Sequence, residues 1–586
     1  MRLVRGGDSR RLAQVSRRRL VTPSAATLCA ALALACGARA ADAPLSANDP
    51  TRALPPAGVA QSANLDYRPT AGPPAALDTT PRLVLQGVRF DNTRAVPESR
   101  LRSAWSDLEG KTVSLSDLRA IGRRAEAIYV QSGFPFVAVM LTVQEVKDGV
   151  VHYKVVEGRI TDLTVLGSDP NARRQATAML LPLVNRQPLS LGAVNRAYQI
   201  ARDVPGLSLS GTLRRGSEPG GMDLVVSAKR EEWRTYANAN NLYAESVGPW
   251  GVLAGVDHFG ASQYGDQTSL QVYTSAPVGR QVMVRMSEAL HVDPNGTVIG
   301  LSGLWGRAEP QGDLSPLALA TDVFSLRLEA SRPIWKQPDA SVVVNLALEG
   351  SNQRTQVYGS TGLSDDKLRD LSLSLSGEKT GALGRIAASA EIHQDLQILG
   401  SSRRGDANLS RVGADPQATI FRVGVEGQTV SWSGLQLAVR IDTQYAAHAL
   451  ATPDQYSVGN LTIGRGYQPA ALLGDSAVAG SFELRNGPYK IGKGLYAQPF
   501  VFLDAARLWN HGAAAFAERS VSSAGGGVRL EFDSNLHMDL IYAVPQDPPL
   551  GLGEKRPGPS VLVNVTVGFN DIFDAIHRRI ASGGAK

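Results

Sequence analysis

Cysteine is nearly absent from this sequence. Its 586 residues include only two, Cys29 and Cys36, and both lie within the first forty. The rest of the chain therefore offers no disulfide framework and no thiolate metal site. Long apolar runs are missing too, because beyond residue 40 no stretch reaches the ~18 apolar residues that a membrane-spanning helix requires. If this chain crosses a membrane, it must do so as a closed barrel of paired strands.

Catalytic motifs are also missing. The sequence contains no nucleophile elbow and no pair of histidines at metal-ligand spacing, and its eight histidines are scattered. Gly110, Lys111 and Thr112 match the end of a phosphate-binding loop. Trp105, however, stands where such a loop needs a glycine, so a simple turn is the better interpretation. We expect no enzyme, no cofactor and no bound metal.

The first forty residues have the marks of an export signal. Seven arginines between positions 2 and 19 precede an apolar run over 25–35, and residues 38–40 form a small-x-small cleavage site. We interpret 1–40 as a signal peptide. This segment holds eight arginines and one aspartate, so the net charge of +6 becomes −1 without it. Because nucleic-acid binding requires a basic face, we expect no nucleic-acid partner.

Residues 41–81 are rich in alanine and proline, and we interpret them as an extended linker. Residues 82–158 then change to strands and amphipathic helices in the order β-α-α-β-β. The predicted elements are a strand from Leu83 to Phe90, a helix over 97–109, a helix that begins with a capping box at Ser114 and Asp117, and a hairpin of strands 136–146 and 150–156 closed at Asp148 and Gly149.

The same order recurs over residues 159–230. The predicted elements are a strand over 160–166, helices over 172–181 and 191–203, and a hairpin of strands 207–213 and 222–229. The chain thus carries two tandem copies of one small fold.

From residue 231 to residue 569 a period of two replaces the helical period. In 435–442 apolar residues alternate with polar ones, and 324–330 and 561–569 alternate in the same way. A soluble sandwich would show this pattern as well. The export signal, the missing cysteines and the long Gly/Asp/Ser-rich loops favour a transmembrane antiparallel β-barrel of about 16 strands. Residues 570–586 form a C-terminal extension.

The most distinctive segment is 457–469, which reads Ser-Val-Gly-Asn-Leu-Thr-Ile-Gly-Arg-Gly-Tyr-Gln-Pro. It places Arg465 between two glycines, and glycine allows close approach to neighbouring backbone and positive φ. With this segment the sequence resembles the two-partner secretion transporters of the haemolysin and filamentous-haemagglutinin type, in the outer-membrane assembly superfamily. Segments 129–134, 203–206 and 410–415 resemble that family too. Its members have two polypeptide-transport-associated (POTRA) modules before a sixteen-stranded barrel.

The resemblance implies roles for five residues. The family's sixth extracellular loop folds into the lumen and carries an Arg-Gly-Tyr/Phe motif, which Arg465, Gly466 and Tyr467 match. A Phe-x-Asp-x-Gly motif on a barrel strand supplies the acidic partner, and Phe502 and Asp504 match it. Because Phe502 and Asp504 are two residues apart they share a face, and a lumen-facing aspartate can accept a charge-assisted bond from a guanidinium.

Three features depart from the family. Ala506 stands in place of the motif's glycine. Phe569, the aromatic residue that ends the last strand, is followed by further chain. The helix that plugs the barrel in the family is not evident in 41–81.

The expected protein is an outer-membrane transporter of a Gram-negative bacterium that passes a large partner exoprotein, unfolded, through its barrel; activation of that partner is left open. Its periplasmic modules would bind the client by strand addition to a sheet edge. Candidate client-binding residues on these strands are Phe136, Val139, Leu141, Leu207, Leu209 and Leu213. Other expected partners are outer-membrane lipid, lipopolysaccharide and the barrel assembly machinery. An assembly factor that inserts other barrels is an alternative, and a diffusion porin is a weaker one.

Overall fold

The computed structural model describes residues 82–569 with gaps at 143–144, 360, 513, 515, 534 and 550–554, together with residues 54, 66 and 67. The expected signal peptide, most of the expected linker and the expected extension 570–586 lie outside the described residues. Within the described ranges, no helix is both long enough and apolar enough to span a membrane.

A three-stranded sheet covered by helices forms the first module. The elements up to its end are β1 (Asp66–Tyr67), β2 (Leu83–Val84), β3 (Gly87–Asp91), α1 (Glu98–Leu101), β4 (Thr112–Val113), α2 (Leu115–Gln131), β5 (Val137–Leu141) and β6 (Val150–Glu157). In the sheet, β6 lies between β3, which is parallel to it, and β5, which is antiparallel. The apolar face of α2, with Ile121 and Ala125, packs into a core that includes Tyr153 of the sheet.

The structural elements predicted for this module are partly confirmed. The predicted capping box is confirmed, since the Asp117 N–H donates to the Ser114 hydroxyl and the Ser114 N–H donates to the Asp117 carboxylate. The predicted helix over 97–109 is wrong. Only α1 is α-helical there, and two short 3₁₀ turns follow it on either side of Trp105, whose φ of −140° is incompatible with a continuous helix. The predicted strand over 136–146 ends at Leu141.

The buried Glu157 carboxylate joins separate parts of the first module by hydrogen bonds, and its removal should destabilise that module. One carboxylate oxygen accepts from the N–H groups of Arg94 and Ala95, at 2.8 and 2.7 Å, and from the Tyr129 hydroxyl at 3.1 Å. Burial, and then the Glu157 charge, raise the pKa of Tyr129, so the phenol stays a donor. We expect Glu157→Ala to cost about 2–5 kcal/mol, because each buried donor left unpaired costs about 1–3 kcal/mol.

Limited proteolysis of the full chain across a urea gradient measures this effect through the midpoint at which residues 82–158 become cleavable. Glu109→Ala is the matched control, since Glu109 makes an exposed ion pair with Arg102, and such pairs contribute about 0–1 kcal/mol. Equal midpoints for the two variants would contradict the assignment.

The second module repeats the β-α-α-β-β order, as predicted. Its elements are β7 (Arg159–Leu166), α3 (Pro170–Leu180), α4 (Leu191–Arg202), β8 (Leu207–Arg215) and β9 (Gly221–Arg230). The sheet order is β1-β8-β9-β7. Strand β1 comes from the segment expected to be a linker, and it runs parallel to β8 opposite Thr212 and Leu213. Part of the expected linker therefore completes this sheet.

The described residues from 231 to 569 form one closed antiparallel barrel and its loops. Its strands and those of its loops are β10 (Trp233–Asn240), β11 (Trp250–Phe259), β12 (Asp266–Ala276), β13 (Gln281–His291), β14 (Val298–Ala308), β15 (Ala320–Lys336), β16 (Ala340–Val357), β17 (Thr361–Gly381), β18 (Gly384–Asp395), β19 (Thr419–Thr429), β20 (Leu435–Ala446), β21 (Tyr456–Val458), β22 (Leu472–Gly474), β23 (Ser476–Asn486), β24 (Tyr489–Gly492), β25 (Leu495–Trp509), β26 (Glu518–Phe532), β27 (Leu536–Pro545) and β28 (Ser560–Gly568). Strand β24 continues β23 along the same neighbour, β25, and β28 closes on β10. The wall thus has 16 strand positions, as predicted.

The two-residue period separates the faces of the barrel wall. On β15, Phe324, Leu326 and Leu328 are each about half exposed on the outer face, whereas Ser325 between them is buried on the lumen side. Apolar side chains on the outside and polar ones inside are the arrangement of a membrane-embedded barrel that closes its own hydrogen-bond ladder.

The second module packs against one end of the barrel, which we call the near end. The Gln175 amide donates to the carbonyls of Gly260 and Ser262, both at 3.1 Å, in the β11–β12 turn. Lys336 forms an ion pair of 2.6 Å with Asp203. These contacts fix the second module at the mouth of the barrel. The opposite end, the far end, carries the long connections.

Candidate functional site

The connection between β20 and β23, which we call the long loop (447–475), begins at the far end and turns back into the barrel. Strands β21 and β22 pair as a small hairpin within it. At its tip Gly464 and Gly466 have φ of 116° and 93°, values that L side chains rarely adopt. The Gly466 N–H donates to the Asn460 side chain at 2.7 Å. The glycines thus form the tight tip that presents Arg465.

Arg465 enters the lumen and binds two carboxylates. Its Nε and Nη2 atoms donate to the two oxygens of Asp504 at 2.9 and 2.6 Å. Nη1 donates to Glu483 at 2.6 Å, and Nη2 donates to the Ser481 hydroxyl at 2.8 Å. The Arg465 side chain is 12% exposed and that of Asp504 only 1%. Because charge-assisted, bidentate bonds are the strong class of protein hydrogen bond, this cluster fixes the loop tip to the barrel wall.

Strand register explains why these acceptors meet. Ser481 lies opposite Asp504 in the β23–β25 ladder, and Glu483 lies opposite Phe502. All four side chains share the lumen face, because Ser481 and Glu483 are two residues apart on β23, and Phe502 and Asp504 are two residues apart on β25. The guanidinium carbon of Arg465 lies 3.7 Å from the centroid of the Phe502 ring, which adds a cation–π contact.

Glu483 belongs to a wider network than Asp504 does. It also accepts from Arg485 at 2.8 Å and from Arg529 at 3.0 Å, both on the barrel wall. Among the described residues, Arg465 is the one cation that pairs with Asp504. Loss of the Arg465 side chain would therefore leave Glu483 neutralised but would leave the buried Asp504 carboxylate without a cation.

Tyr467 holds the other side of the loop tip. Its ring is fully buried, and its hydroxyl lies 2.9 Å from the carbonyl oxygens of both Ser522 and Asp547 and accepts from the Asp547 N–H at 3.1 Å. Ala506, the departure from the family's motif, packs into the same apolar cluster as Tyr467. The three motif residues thus differ in their contacts. Arg465 forms the ion pairs, Gly466 forms the turn, and Tyr467 packs its buried ring against the wall.

Comparison with known proteins assigns the fold and the loop to a family. The first module matches the family model "POTRA domain, ShlB-type" over residues 83–158, and residues 308–530 match "Haemolysin secretion/activation protein ShlB/FhaC/HecB". The second match spans β15 to β25, and with them the whole long loop. The chain belongs to the two-partner secretion transporters. It resides in the outer membrane of a Gram-negative bacterium, with its POTRA modules and the near end in the periplasm and the far end at the cell surface.

Relatives of this two-partner secretion transporter are remote in sequence and similar in fold. The heme/hemopexin transporter protein HuxB of Haemophilus influenzae is 18% identical over 394 residues, which is 66% of this chain and 68% of that protein. The structure of CdiB from Escherichia coli has a TM-score of 0.72 at 16% identity and covers 85% of this chain and 93% of its own. CdiB from Acinetobacter baumannii has a TM-score of 0.61 at 13% identity, with 84% and 91% covered. These structures support the shared architecture of modules and barrel.

The expected client-binding residues in the POTRA modules lie mostly in cores. Phe136, Leu207, Leu209 and Leu213 are buried in the core of the second module. Val139 and Leu141 are half-buried and pack against the core of the first. Their side chains face away from a client because a strand that packs on helices turns its apolar face inward. The features of these strands that could pair with another strand are therefore their backbone edges.

A second polar cluster near the far end was not identified from the sequence. Asp475, fully buried, forms an ion pair with Arg411 and accepts from the N–H groups of Leu450 at 3.0 Å and His511 at 2.7 Å. Arg411 lies in the β18–β19 connection, Leu450 in the long loop and His511 in the β25–β26 connection. Asp475 therefore joins three surface loops. Its sequence signals were that Asp475 lies in 473–476, shortly after the distinctive segment 457–469, and that Arg411 lies within 410–415, one of the segments that resemble the family.

Proposed function

We propose that the long loop is the gate of this transporter and that Arg465 fastens it in the closed position. The observation that carries the proposal is the guanidinium of Arg465, which reaches from the loop to Ser481, Glu483 and Asp504 on β23 and β25. The loop tip thus occupies the lumen through which the secreted partner protein passes. Displacement of the tip by the incoming chain exchanges these bonds for contacts with water and with the client.

Client binding is proposed to occur by strand addition to β8 of the second POTRA module. Strand β1 already pairs with β8 in this manner at Thr212 and Leu213, so this edge accepts an added strand. From Leu207 to Gly211, β8 has no strand partner on that side among the described residues. Both edges carry a side-chain contact, since the Tyr198 hydroxyl donates to the Leu209 carbonyl of β8 at 3.2 Å and the Val139 N–H of β5 donates to the Glu126 carboxylate at 3.0 Å. The choice of β8 therefore rests on its pairing with β1. Main-chain bonds along β8 supply the affinity.

The remaining partners follow from the surfaces of the barrel. Its apolar outer face fits outer-membrane lipid, and its far-end loops fit the headgroups of lipopolysaccharide. Insertion of the wall is the task of the barrel assembly machinery. We propose transport without a catalytic step, because the polar groups of the loop site are engaged with one another in a tether and no nucleophile is paired with a base there.

Site-specific cross-linking tests where the client binds. Because the chain beyond residue 40 has no cysteine, Ser210→Cys places a single thiol on the exposed face of β8. We expect this thiol to form an adduct with a co-expressed partner protein that is arrested during export by a folded C-terminal fusion. Arg89→Cys, exposed on β3 of the first module, is the matched control. Adducts of equal yield at both positions, or at Arg89→Cys alone, would contradict docking on β8.

A further inference from the structure

A histidine and three carboxylates are buried together in the lumen toward the far end. His393 and Asp395 are two residues apart on β18, so both face the lumen. Asp370, on β17, lies directly opposite Asp395 in the ladder. Asp454 comes from the long loop, at the end of a 3₁₀ turn. His393, Asp395 and Asp454 each offer one ligand atom, and these atoms all lie within 4.8 Å of one another.

Two carboxylates of this cluster pair directly with the His393 imidazole and, among the described residues, with no lysine or arginine. Asp370 and Asp395 are 5% and 2% exposed, and like charges directly opposite in a ladder destabilise the sheet. Within the described part of the chain, no lysine or arginine forms an ion pair with Asp370, Asp395 or Asp454. Arg422 on the neighbouring strand is engaged with Glu391 at 3.0 Å. Buried charges that are not fully paired are costly, so this arrangement calls for a cation.

The imidazole of His393 points to the same conclusion. Its Nε2 lies 3.1 Å from an Asp395 oxygen, and its Nδ1 lies 3.6 Å from an Asp370 oxygen. A neutral imidazole carries one N–H, so one of its two nitrogens turns a lone pair toward a carboxylate. Among the described residues, the buried His393 Nδ1 and Asp395 Oδ2 atoms have no hydrogen-bond partner. These are unused lone pairs of the kind that ligate a metal.

We propose that His393, Asp395 and Asp454 bind one divalent transition metal ion, zinc in the first instance, with Asp370 beside it as a further carboxylate. An imidazole nitrogen among the ligands favours zinc over calcium or magnesium, which prefer oxygen-only sites. The expectation of no metal rested on the scattered histidines and the missing cysteines. Asp454 is remote from His393 and Asp395 along the chain, and only the docked loop brings it to the other two. The inference does not depend on the proposed gating, since it concerns binding alone.

The site would tie the long loop to the wall at a second place. Asp454 belongs to the loop, whereas His393 and Asp395 belong to β18. A bound ion therefore crosslinks loop and wall several strands away from Arg465. Because metal binding stabilises only the state that assembles the ligands, zinc should raise the temperature at which the folded loop and barrel lose their heat-resistant gel mobility.

Zinc titration of the full-length chain in detergent tests the proposal. After chelator treatment and removal of the chelator, we expect calorimetry to detect one zinc equivalent per chain. We expect His393→Ala and Asp395→Asn each to weaken zinc binding at least about tenfold, since loss of even an outer-shell partner of a ligand weakens metal binding about 10–100-fold. His537→Ala is the matched control, because His537 contacts Asp539 at 3.2 Å and Glu531 at 3.8 Å, but among the described residues these three do not form a cluster of convergent ligand atoms, so the variant should bind zinc as the wild type does.

Asp454→Asn keeps the test decisive if substitutions on β18 prevent insertion, because this residue lies outside the barrel strands. Zinc binding that is absent from the wild type, or that persists undiminished in His393→Ala and Asp454→Asn, would overturn the site and indicate that shared protons neutralise the cluster. Binding of calcium or magnesium in preference to zinc would overturn the choice of metal.

Discussion

Replacement of Arg465 by alanine should reduce secretion of the partner protein at least about tenfold while the barrel still assembles. The substitution removes four side-chain hydrogen bonds and leaves Asp504, which is 1% exposed, without its cation. Breaking a buried ion pair from one side costs about 3–5 kcal/mol. A loss of that size detaches the loop tip from the wall, so the loop no longer has the single closed position from which the client displaces it. Its unanchored conformations then compete with the client for the lumen.

Two measurements separate this effect from misfolding. Heat-modifiable gel mobility reports barrel assembly, and the amount of partner protein in the medium reports secretion. Arg485→Ala is the matched control, because Arg485 contacts the same Glu483 at 2.8 Å from the wall and not from the loop. Its secretion should stay close to that of the wild type, because Glu483 keeps Arg465 and Arg529 as partners. Normal secretion by Arg465→Ala, or an equal loss in the control, would contradict a loop anchor.

Arg465→Lys refines the test. Lysine keeps the positive charge but lacks the planar fork that reaches Asp504 twice and Glu483 and Ser481 once each. We expect secretion between those of the wild type and Arg465→Ala. Secretion equal to that of the wild type would mean that charge alone holds the loop.

The features that could be predicted from the sequence are those decided by near neighbours. The capping box of Ser114 and Asp117 needs three residues of separation, and the two faces of β15 need only a period of two. The same holds for Phe502 and Asp504, whose shared face follows from their spacing. The count of about 16 strands followed from the length of the alternating region.

The partners of these residues could not be predicted in the same way, because they are set by register and loop docking. Glu483 meets Arg465 only because β23 pairs with β25 so that Glu483 lies opposite Phe502. Lumen carboxylates are numerous, and a one-residue shift would turn Glu483 to the lipid. The short β1 was missed for a similar reason: two residues of backbone pairing leave no periodic signal.

The helix predicted over 97–109 was wrong for a local reason, because the spacing of apolar residues does not distinguish an α-helix from successive 3₁₀ turns. The spacing of Leu101, Ala104 and Trp105 fits a helical face, and Leu101 and Ala104 are indeed fully buried. Two 3₁₀ turns place them there equally well, because a turn of three residues also repeats its face. These buried positions therefore fit either type of helix, and the predicted α-helix is wrong beyond Leu101.

Asp475→Ala should open the far end of the barrel to solutes, whereas Arg465→Ala is expected to reduce secretion of the partner protein. Asp475 receives Arg411 from one surface loop, the N–H of His511 from another, and the N–H of Leu450 and the amide of Gln455 from the long loop. Its side chain is fully buried, so its removal leaves these donors unpaired at about 1–3 kcal/mol each. The three loops should then separate more readily, because the carbonyls of Leu450 and His511, to which Arg411 still donates, carry no charge that replaces that of Asp475.

Two measurements detect this opening: the conductance of the purified protein in planar bilayers, and the growth of cells that carry the variant in the presence of large hydrophilic antibiotics. A destabilisation of about 3 kcal/mol or more corresponds to a rise of about a hundredfold in the open population. We therefore expect frequent channel openings and increased sensitivity of the cells to these antibiotics. Secretion should be retained, because Arg465 still anchors the loop tip. Arg404→Ala is the matched control, since Arg404 lies in the same loop as Arg411 and makes a 3.7 Å pair with Asp415 at the surface. If Asp475→Ala stays as impermeable as this control, the three loops are held by their apolar contacts, such as those of Leu409, Ala414 and Ala451, and the Asp475 cluster is not the closure of the far end.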